Sequence, residues 1–491
     1  MPAGRKLLKP LSPMIYDILI IGGGVTGTAI ARELSRYHLK IALLEKEAEL
    51  AFGVSKSNSG IIHPGTQNPP DSLKGKLCVQ GNKLTREIAK ELGVDFKEVG
   101  ELIVIFKEAD RAKLLEIKKE GETLGVPGLQ IVEREWLRKY EPNLNPEALA
   151  ALYAPTAGII SPYRWVYDLA ENAARNGVEF FTLHKVTGIS REPGNQRLNV
   201  AVSGSERTFE AKYVINAAGL YADEIAKLAG INDIVIKPRK GEEFLLDKKR
   251  EHLVNHIIFP LPTPTTKGIL VIKTSDGNPM IGPTAQDIDD KEDRTTSDAG
   301  LQQVLTATRQ LVPSLNENDI IAYFAGLRPI AGHDFIIRHE AEVPGMITVA
   351  GIQSPGLTAA PAIALMVTDL LKMNGLKLRR KFFFHRFRQA TIHLFAISFA
   401  KTRELIKKNK AYGEIVCRCE MISAQEIREA IRRGARTLDG IKFRTRAQAG
   451  RCHGGFCTTR IMKIMAEELK LNPKAISKRG PGSEVIKDAR A

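Results

Sequence analysis

The pattern of apolar and polar positions near the N-terminal end predicts a strand, a glycine-rich turn, a helix and a second strand. Residues 15–21 form an apolar, β-forming run, and residues 40–44 form another. Residues 28–37, between the two runs, have the composition of a helix. This order of elements is that of a βαβ unit.

The turn of this unit has the spacing G-x-G-x-x-G. Gly22 permits a tight turn, Gly24 lets the backbone approach a pyrophosphate, and Gly27 lets helix and strand pack closely. The helix N-terminus favours the negative charge of the pyrophosphate. Glu45, at the end of the second strand, can accept hydrogen bonds from ribose hydroxyls. The motif predicts a Rossmann-type dinucleotide site but does not choose between FAD and NAD.

Further apolar runs predict more strands of the same sheet. Residues 178–183 and 198–202 precede residues 213–219, which end in small residues. Residues 345–351 lead through a short turn into a predicted helix over 358–373. The free N–H groups of that helix can face an electron-rich ring, such as the pyrimidine edge of a flavin.

The C-terminal end predicts a small helical unit that carries four of the five cysteines. Ser423 is the predicted cap of a helix over 424–433, a second helix begins after Thr437, and a third covers 459–468. Two cysteine pairs lie in the connections, at Cys417 and Cys419 and at Cys452 and Cys457.

Clustered cysteines in a reducing compartment indicate metal ligands or redox thiols rather than disulfides. A [2Fe-2S] cluster needs four thiolates, two for each iron. Structural zinc and unligated thiols are the alternatives, although a C-x-C pair suits the usual zinc spacing less well. His453 is not needed as a ligand, and Cys78 is expected to be a buried, small apolar residue. Arg418, Arg444, Arg446 and Arg451 are expected to offset the charge of an anionic cluster.

Length, composition and net charge limit the number of domains, the partners and the cellular location that can be expected. The chain has 491 residues, which suggests two or three domains, with 43% hydrophobic and 26% charged residues. A net charge of +16 attracts small anions, acidic partners or anionic lipid headgroups. No nucleic acid is expected, because the charge is dispersed and no recognition motif accompanies it. No signal peptide or transmembrane helix is expected either, so the predicted location is cytoplasmic.

A basic, aromatic segment begins near Lys377 and runs to about Lys410. It is interpreted as a linking helix with one face on the preceding domain. The alternative is an amphipathic helix on the inner face of the cell membrane, because basic and aromatic residues alternate.

With these motifs in place, residues 15–373 resemble FAD-dependent oxidoreductases of the D-amino-acid-oxidase-like superfamily. The best match is the branch of FAD-dependent glycerol-3-phosphate dehydrogenases and L-2-hydroxyglutarate oxidases. The resemblance lies in the glycine turn with Glu45, residues 55–63, the motif 326–329 and the motif 354–358. It implies FAD bound in an extended conformation and a mixed-sheet substrate domain over the flavin.

Residues 414–471 resemble the bacterioferritin-associated-ferredoxin-like [2Fe-2S] domain. The expected fold class is therefore α/β: a Rossmann-type FAD-binding domain with an inserted mixed-sheet α+β substrate domain, plus a small helical C-terminal iron–sulfur domain. The expected bounds are 14–85, 150–225 and 335–373 for the FAD domain, 86–149 and 226–334 for the substrate domain, 374–412 for the linking helix, 413–475 for the iron–sulfur domain and 476–491 for a tail.

The motifs and the resemblance together assign site residues. For FAD they are Gly22, Gly24, Val25, Thr26, Gly27, Glu45, Lys46, Ser57, Asn58, Ser59, Gly60, Val186, Ala218, Gly219, Gly351, Ser354, Gly356, Leu357 and Thr358. For the cluster they are Cys417, Cys419, Cys452 and Cys457.

The substrate site is predicted from fewer signals. His63 is the first candidate base and Arg328 the candidate anion holder, with an ordinary ion pair as the alternative for Arg328. Lys267, Thr274 and Asn278 are placed in the substrate-domain sheet. Related sequences commonly have His-Gly-Asn where this chain has Asp276-Gly277-Asn278, which leaves the substrate open.

The predicted function is an FAD-dependent dehydrogenase acting on a small anionic secondary alcohol, with sn-glycerol 3-phosphate as the first candidate. Electrons would pass singly through the cluster to a second flavoprotein subunit or another acceptor. The alternatives are L-2-hydroxyglutarate or another 2-hydroxy acid, an amine of the proline or sarcosine type, and a non-catalytic relay subunit.

Overall fold

The structure, a computed structural model, describes residues 13–203, 208–263 and 266–486. The last residues of the expected C-terminal tail, 487–491, lie outside the described residues.

Strands in this part of the chain are short and follow the apolar runs. They are β1 (Met14–Ile21), β2 (Ile41–Leu44), β3 (Ile61–Ile62), β4 (Lys97–Glu98), β5 (Glu101–Ile105), β6 (Gln130–Glu133), β7 (Ala150–Ala154), β8 (Gly158–Ile159), β9 (Glu179–Phe181), β10 (Val186–Ser190), β11 (Leu198–Val202), β12 (Phe209–Asn216), β13 (Lys237–Leu246), β14 (Ile257–Pro260), β15 (Leu270–Lys273), β16 (Pro279–Gly282), β17 (Gln286–Asp287), β18 (Ile320–Ile330), β19 (Ile336–His339), β20 (Met346–Ala350), β21 (Ile415–Cys417) and β22 (Ile422–Ser423).

Helices connect and cover these strands. They are α1 (Val25–Leu34), α2 (Leu73–Leu92), α3 (Arg111–Thr123), α4 (Arg134–Tyr140), α5 (Pro162–Arg175), α6 (Ala222–Leu228), α7 (Asp298–Leu311), α8 (Gly356–Met373), α9 (Phe399–Lys408), α10 (Ala424–Arg432), α11 (Leu438–Thr445) and α12 (Thr458–Leu469). The first helix begins at Val25 rather than at the expected residue 28, because it starts directly from the glycine turn.

The first sheet carries the predicted dinucleotide unit. Its parallel centre has the order β20-β12-β1-β2-β9, and the antiparallel pair β10-β11 continues from the other half of β12. In register, Ile18 of β1 lies between Tyr213 and Ile41. The carboxyl ends of these parallel strands therefore meet at one edge, where ligands bind in open α/β sheets.

The second sheet is mixed and covers that edge. Its order is β17-β13-β16-β15-β14-β5-β7-β6, with β18 on the free side of β13. Strands β13 and β18 pair along most of their length, which places Arg328 opposite Arg239 and Gly326 opposite Gly241. The α/β fold class with a mixed-sheet substrate domain is confirmed.

The cores lie on both faces of each sheet. In the first sheet, α1, α5 and α8 bury residues such as Ile30, Trp165 and Ile363 against one face. Among the described residues, one helix, α8, is long and apolar enough to cross a membrane by length and composition. In this fold 61% of it is buried, since it packs against α1 and α2 as a core helix.

The C-terminal unit has its own apolar core of α10, α11 and α12. Ser423 and Glu426 form the expected reciprocal cap of α10, with the Glu426 carboxylate accepting the Ser423 N–H at 2.9 Å. Helix α11 begins directly after Thr437, as predicted, and the Thr437 side chain caps it. The small helical C-terminal unit is confirmed.

Three of the expected boundaries differ from the structure. Strand β7 belongs to the second sheet, so the substrate segment extends to Ala154 rather than ending at 149. The boundary at 85–86 falls inside α2, which is continuous. Residues 476–486 are not a free tail, because Ile476 lies in the core of the C-terminal unit and the Ser477 carbonyl accepts the Leu438 N–H at 3.1 Å.

The linking segment is largely extended rather than helical, and only α9 and two short 3₁₀ turns are helical within it. Its backbone groups bond to the preceding domain instead of to each other: the Lys381 N–H donates to the Arg36 carbonyl at 2.8 Å, and the His385 carbonyl accepts from Asn172 at 2.9 Å. Arg388 also pairs with Asp168 at 2.8 Å. The expectation of a linking helix was therefore wrong.

This extended course leaves aromatic side chains in solvent next to arginines and lysines. Phe382, Phe383 and Phe399 are each more than four-fifths exposed. A peripheral membrane contact at this segment stays a prediction.

Candidate functional site

One cavity of about 1690 Å³ runs from the carboxyl edge of the first sheet to the second sheet. Pockets for single small molecules are typically about 300–1,000 Å³, so this one has room for an extended dinucleotide and a substrate. Residues predicted to bind FAD that line it are Gly22, Gly24, Val25, Thr26, Glu45, Lys46, Ser57, Asn58, Ser59, Gly60, Val186, Ala218, Gly219, Ser354, Gly356 and Leu357.

The glycine turn is shaped as the dinucleotide motif requires. Gly22 has φ +112°, and a Cβ there would lie 2.4 Å from the Ala217 carbonyl oxygen. A Cβ at Gly27 would lie 2.0 Å from the Gly22 carbonyl oxygen, so a side chain there would push α1 away from the strand. The Ser55 hydroxyl accepts the Val25 N–H at 2.9 Å and ties the next loop to the start of α1. These residues fit a bound FAD.

Glu45 is held in place by backbone donors. Its carboxylate accepts the Gly23 N–H at 2.7 Å and the Glu47 N–H at 2.9 Å. Burial raises the pKa of Glu45, while the two backbone hydrogen bonds favour the ionised form. Each oxygen keeps a lone pair for ribose hydroxyls at the cavity wall.

Gly27, Gly351 and Thr358 lie behind the cavity wall and act through packing. Gly351 has φ +67°, which suits a residue without a side chain. The Thr358 hydroxyl accepts the His63 N–H at 2.9 Å and so positions that histidine. Helix α8 begins without a side-chain cap, and Ser354, Gly356 and Leu357 at its start face the cavity.

A buried cluster of His63, Lys267 and Glu101 lies at the other end of the cavity. His63 Nε2 is 3.3 Å from the Ser354 hydroxyl, and its Nδ1 is 4.0 Å from Glu101 Oε2. Burial, aided by the charge of Lys267, holds the pKa of His63 well below its usual value. Burial also raises the pKa of Glu101 to about 7. A neutral imidazole is therefore present at neutral pH.

Lys267 supplies an unpaired cation to this cluster. Its ammonium is buried and has no hydrogen-bond partner among the described residues. Burial lowers the pKa of Lys267, and the nearby Cys78 and Glu101 partly oppose that shift. Cys78 itself is fully buried with its pKa raised to about 12, as expected for an inert thiol.

Arg328 supplies a second cation. Its guanidinium donates to the Thr284 carbonyl at 3.2 Å and 3.3 Å, and no carboxylate lies within ion-pair distance in the described part of the chain. Glu243 is its nearest opposing charge, and burial raises the pKa of Glu243 to about 7. The ordinary ion pair considered for Arg328 is thus absent among the described residues, and its charge faces the cavity.

Of the other two residues predicted for the substrate site, one lies in the cavity and one does not. Thr274 lines the cavity, whereas Asn278 is fully buried outside it. The Asn278 amide donates to the Leu246 carbonyl at 2.8 Å, and its oxygen accepts from Arg446 at 2.8 Å. Placing Asn278 in the substrate site was wrong, because its side chain is used to hold the C-terminal unit.

Asp276 also helps to hold the C-terminal unit. Its carboxylate pairs with Arg164, lies 3.5 Å from the Arg446 guanidinium, and accepts the Tyr163 hydroxyl at 3.2 Å. Asp276 lines the cavity and at the same time helps to dock the C-terminal unit.

The arginines near the cysteines also dock the unit rather than surround the cluster. Arg444 pairs with the buried Glu49 at 2.9 Å and stacks on Tyr167 at 3.7 Å. Arg451 pairs with Asp247 at 2.9 Å. Arg446 also reaches Glu420 at 3.4 Å, next to a predicted cluster ligand. These three arginines form ion pairs with carboxylates of both units, and their effect on the charge of a bound cluster stays a prediction.

The four cysteines of the C-terminal unit meet in two pairs. Cys419 and Cys452 have sulfurs 3.5 Å apart. A hydrogen bond from Cys457 lowers the pKa of Cys417 to about 6. In the described residues no three His, Cys, Asp or Glu side chains are arranged to hold one ion. Two thiolate pairs suit the two irons of a [2Fe-2S] cluster better than one zinc.

The sequence predictions missed several residues in or behind the cavity wall. Glu101 lies behind the wall beside His63, where it begins an otherwise apolar strand, and a charged residue in that position was the only available signal. Tyr163 lies in α5, and although burial opposes it, Arg446 and Arg164 lower its pKa. Lys442 and Phe443 of α11 also line the cavity. No local motif indicates these contributions, because they depend on how two units pack.

Two parts of the chain match known protein families. Residues 17–370 match the family described as FAD dependent oxidoreductase, and residues 415–467 match the BFD-like [2Fe-2S] binding domain. The chain is 42% identical over 475 residues to a glycerol 3-phosphate dehydrogenase of Caloramator mitchellensis, covering 96% of this chain and 98% of that protein.

Two further relatives cover the flavin part. An L-2-hydroxyglutarate dehydrogenase of Nematostella vectensis is 30% identical, over 72% of this chain and 90% of that protein. The solved structure of dithionite-reduced L-alpha-glycerophosphate oxidase from Mycoplasma pneumoniae with FAD bound has a TM-score of 0.73 and 36% identity, covering 77% of this chain and 99% of that one.

Proposed function

The chain belongs to the FAD dependent oxidoreductase family and carries a BFD-like [2Fe-2S] binding domain, and on this premise we propose that it oxidises sn-glycerol 3-phosphate to dihydroxyacetone phosphate. Electrons leave through the cluster to a separate acceptor protein. FAD, when bound, accepts a hydride from carbon, and the cluster accepts single electrons.

One observation carries the proposal. The cavity that holds the dinucleotide motif ends at two unpaired cations, Lys267 and Arg328, and a neutral imidazole, His63. Two cations favour a dianionic phosphate, and a neutral imidazole can accept the proton of a hydroxyl group. The names of the Caloramator and Mycoplasma relatives support glycerol 3-phosphate as the substrate.

Each chain residue has a distinct role in the proposed reaction. Arg328 and Lys267 bind the phosphate and orient the substrate carbon. His63 takes the hydroxyl proton as the hydride leaves the same carbon. Ser354 contacts the Nε2 atom of the His63 ring, and Thr358 accepts the backbone N–H of His63. The second sheet covers the site and excludes water.

The acceptor receives electrons through the C-terminal unit in this proposal. That unit lines the cavity with Phe443, Arg446 and His453, and Cys452 immediately precedes His453. Cys419 is exposed and Cys452 is partly exposed, so the outer pair of ligands faces solvent. A partner protein can therefore approach the cluster without entering the flavin cavity.

An anaerobic titration of the purified protein tests the substrate. We expect sn-glycerol 3-phosphate to bleach the flavin absorption and then to produce the electron paramagnetic resonance signal of a reduced cluster. L-2-Hydroxyglutarate and L-proline, added in parallel, should reduce the flavin much more slowly. The phosphate dianion satisfies both cations, whereas proline carries one carboxylate and a positive amine.

The same titration identifies the alternatives. Faster bleaching by L-2-hydroxyglutarate would assign the chain to 2-hydroxy acids, and faster bleaching by proline would assign it to amines. No bleaching by any of the three, with FAD bound, would contradict the proposed dehydrogenase and favour a relay subunit.

Replacement of Arg328 by Ala should weaken substrate binding. Loss of a charge-assisted contact worth about 1.5–3 kcal/mol raises the Michaelis constant by about ten- to more than a hundredfold. Arg309→Ala is a matched control, because Arg309 lies on α7 of the same domain and pairs with Glu317 at the surface. An unchanged Michaelis constant in Arg328→Ala, measured by flavin reduction, would remove Arg328 from the substrate site.

A further inference from the structure

Helix α11 of the C-terminal unit brings a lysine to the dinucleotide end of the cavity. Lys442 lines the cavity and is half-buried. No carboxylate lies within ion-pair distance of it among the residues described by the structure. Asp439, one turn earlier on the same helix, is instead paired with Lys478 at 3.4 Å and with Arg479 at 3.3 Å. Lys442 is therefore a cation without an ion-pair partner among these residues, and Asp439 acts on it only from a distance.

The neighbouring residue fixes where this helix sits. The Phe443 ring packs edge-on against Phe52 of the flavin domain, with centroids 5.8 Å apart, and lies 5.0 Å from Tyr163. The Lys56 ammonium lies 4.3 Å from the Phe52 ring and 5.7 Å from the Phe443 ring. Lys56 directly follows Ser55, which bonds the first residue of α1. The helix of the iron–sulfur domain is thus seated on the loop beside the glycine turn.

Lys56 also has no ion-pair partner in the described chain, although Asp439 and Glu47 attract it from a distance, and it too lines the cavity. Burial lowers its pKa to about 8, with Arg479 adding to the shift. Burial likewise lowers the pKa of Lys442. Half-buried cations are costly unless an anion compensates them. Both lysines line the same cavity, so an anion bound there would compensate their charge.

The FAD diphosphate is the anion that the adjacent glycine turn is built to hold, since it lies at the N-terminus of α1. We propose that the iron–sulfur domain completes the FAD site, with Lys442 reaching across the domain boundary to bind the diphosphate opposite Lys56. Arg479 lines the same cavity and adds positive charge to it. The flavin is then retained by both domains, and its affinity depends on docking of the iron–sulfur domain.

The test compares FAD affinity in charge variants of the full-length protein. FAD is removed from wild type, Lys442→Gln and Lys463→Gln, and rebinding is followed by flavin fluorescence under anaerobic conditions. Lys463 lies exposed on α12 of the same domain, so its replacement makes the same charge change away from the cavity. We expect Lys442→Gln to raise the FAD dissociation constant by about ten- to a hundredfold, and Lys463→Gln to change it less than twofold.

The cluster signal in electron paramagnetic resonance separates a local effect from misfolding. Lys442→Gln must retain this signal, and Lys442→Arg must restore most of the FAD affinity. If Lys442→Gln lost its cluster signal, Arg479→Gln would decide, because this exposed side chain should still weaken FAD binding severalfold. An FAD dissociation constant in Lys442→Gln equal to that of Lys463→Gln, with the cluster intact, would overturn the proposal. No substrate is used, so the outcome is independent of the proposed reaction.

Discussion

Replacement of Cys452 by Ser should abolish the [2Fe-2S] signal while leaving substrate-driven flavin reduction largely intact. Serine lacks the thiolate sulfur of Cys452, which lies 3.5 Å from the sulfur of Cys419, so one iron would lose one of its two protein ligands. The glycine turn and His63 lie outside the C-terminal unit, which has its own apolar core, so the residues of the proposed reaction should stay in place when the cluster is lost. Electron paramagnetic resonance, iron and sulfide content, and anaerobic flavin bleaching measure the two effects separately.

Turnover with an external one-electron acceptor should fall to background in the same variant, because electrons then have no exit. Arg418→Gln is a suitable control: it changes an exposed residue between two ligands and should retain the cluster. Loss of flavin bleaching in Cys452→Ser, with FAD still bound, would mean that the order of electron transfer is wrong. Stoichiometric zinc in protein prepared without oxygen would exclude the cluster itself.

Replacement of His63 by Asn should lower the turnover number by about a hundred- to ten-thousandfold, the range expected when a general base is removed. The Michaelis constant should change much less, because Arg328 and Lys267 still bind the substrate anion. Rapid mixing with glycerol 3-phosphate measures the rate of flavin reduction directly. His252→Asn, which replaces a largely exposed histidine of the substrate domain, should keep the wild-type rate.

The pH dependence gives a second readout for His63. Its reactive form is the neutral imidazole, and burial depresses the folded pKa below 6.5. The rate of flavin reduction in wild type should therefore hold as the pH falls to 6.5 and decline only below it. The remaining activity of His63→Asn should lack this acid limb. An acid limb centred above pH 6.5, or one that persists in the variant, would assign the base to another group.

Local sequence was sufficient to predict a feature wherever the motif acts through its own backbone or its own ligand atoms. The turn at Gly22 and Gly24 needs its conformation whatever packs around it, and Glu45 follows from the end of β2. The spacing of the cysteines marked all four as ligands, although the pairs that meet in space, Cys419 with Cys452 and Cys417 with Cys457, join one member of each sequence pair. The caps of α10 and α11 were also predictable, since a cap bonds to residues within the next turn.

Side chains that act across domains were not predictable. Asn278 and Asp276 had the composition of a substrate loop, yet they hold Arg446 of the iron–sulfur unit. Glu101 became a partner of His63 only through the second sheet. The segment after α8 had helical composition, but its backbone found donors and acceptors on the flavin domain.

By itself, the sequence determined the dinucleotide-binding βαβ unit and the set of four cysteines, because each depends on residues close together in the chain. The resemblance of its motifs to known families then gave FAD, the [2Fe-2S] cluster and the class of chemistry. Tertiary structure alone decided which cations remain unpaired. Arg444 and Arg451 are neutralised by Glu49 and Asp247, while Lys267 has no such partner among the described residues. A charge is most available to a ligand where packing has left it without an ion-pair partner, and the packing of distant segments cannot be read from local spacing.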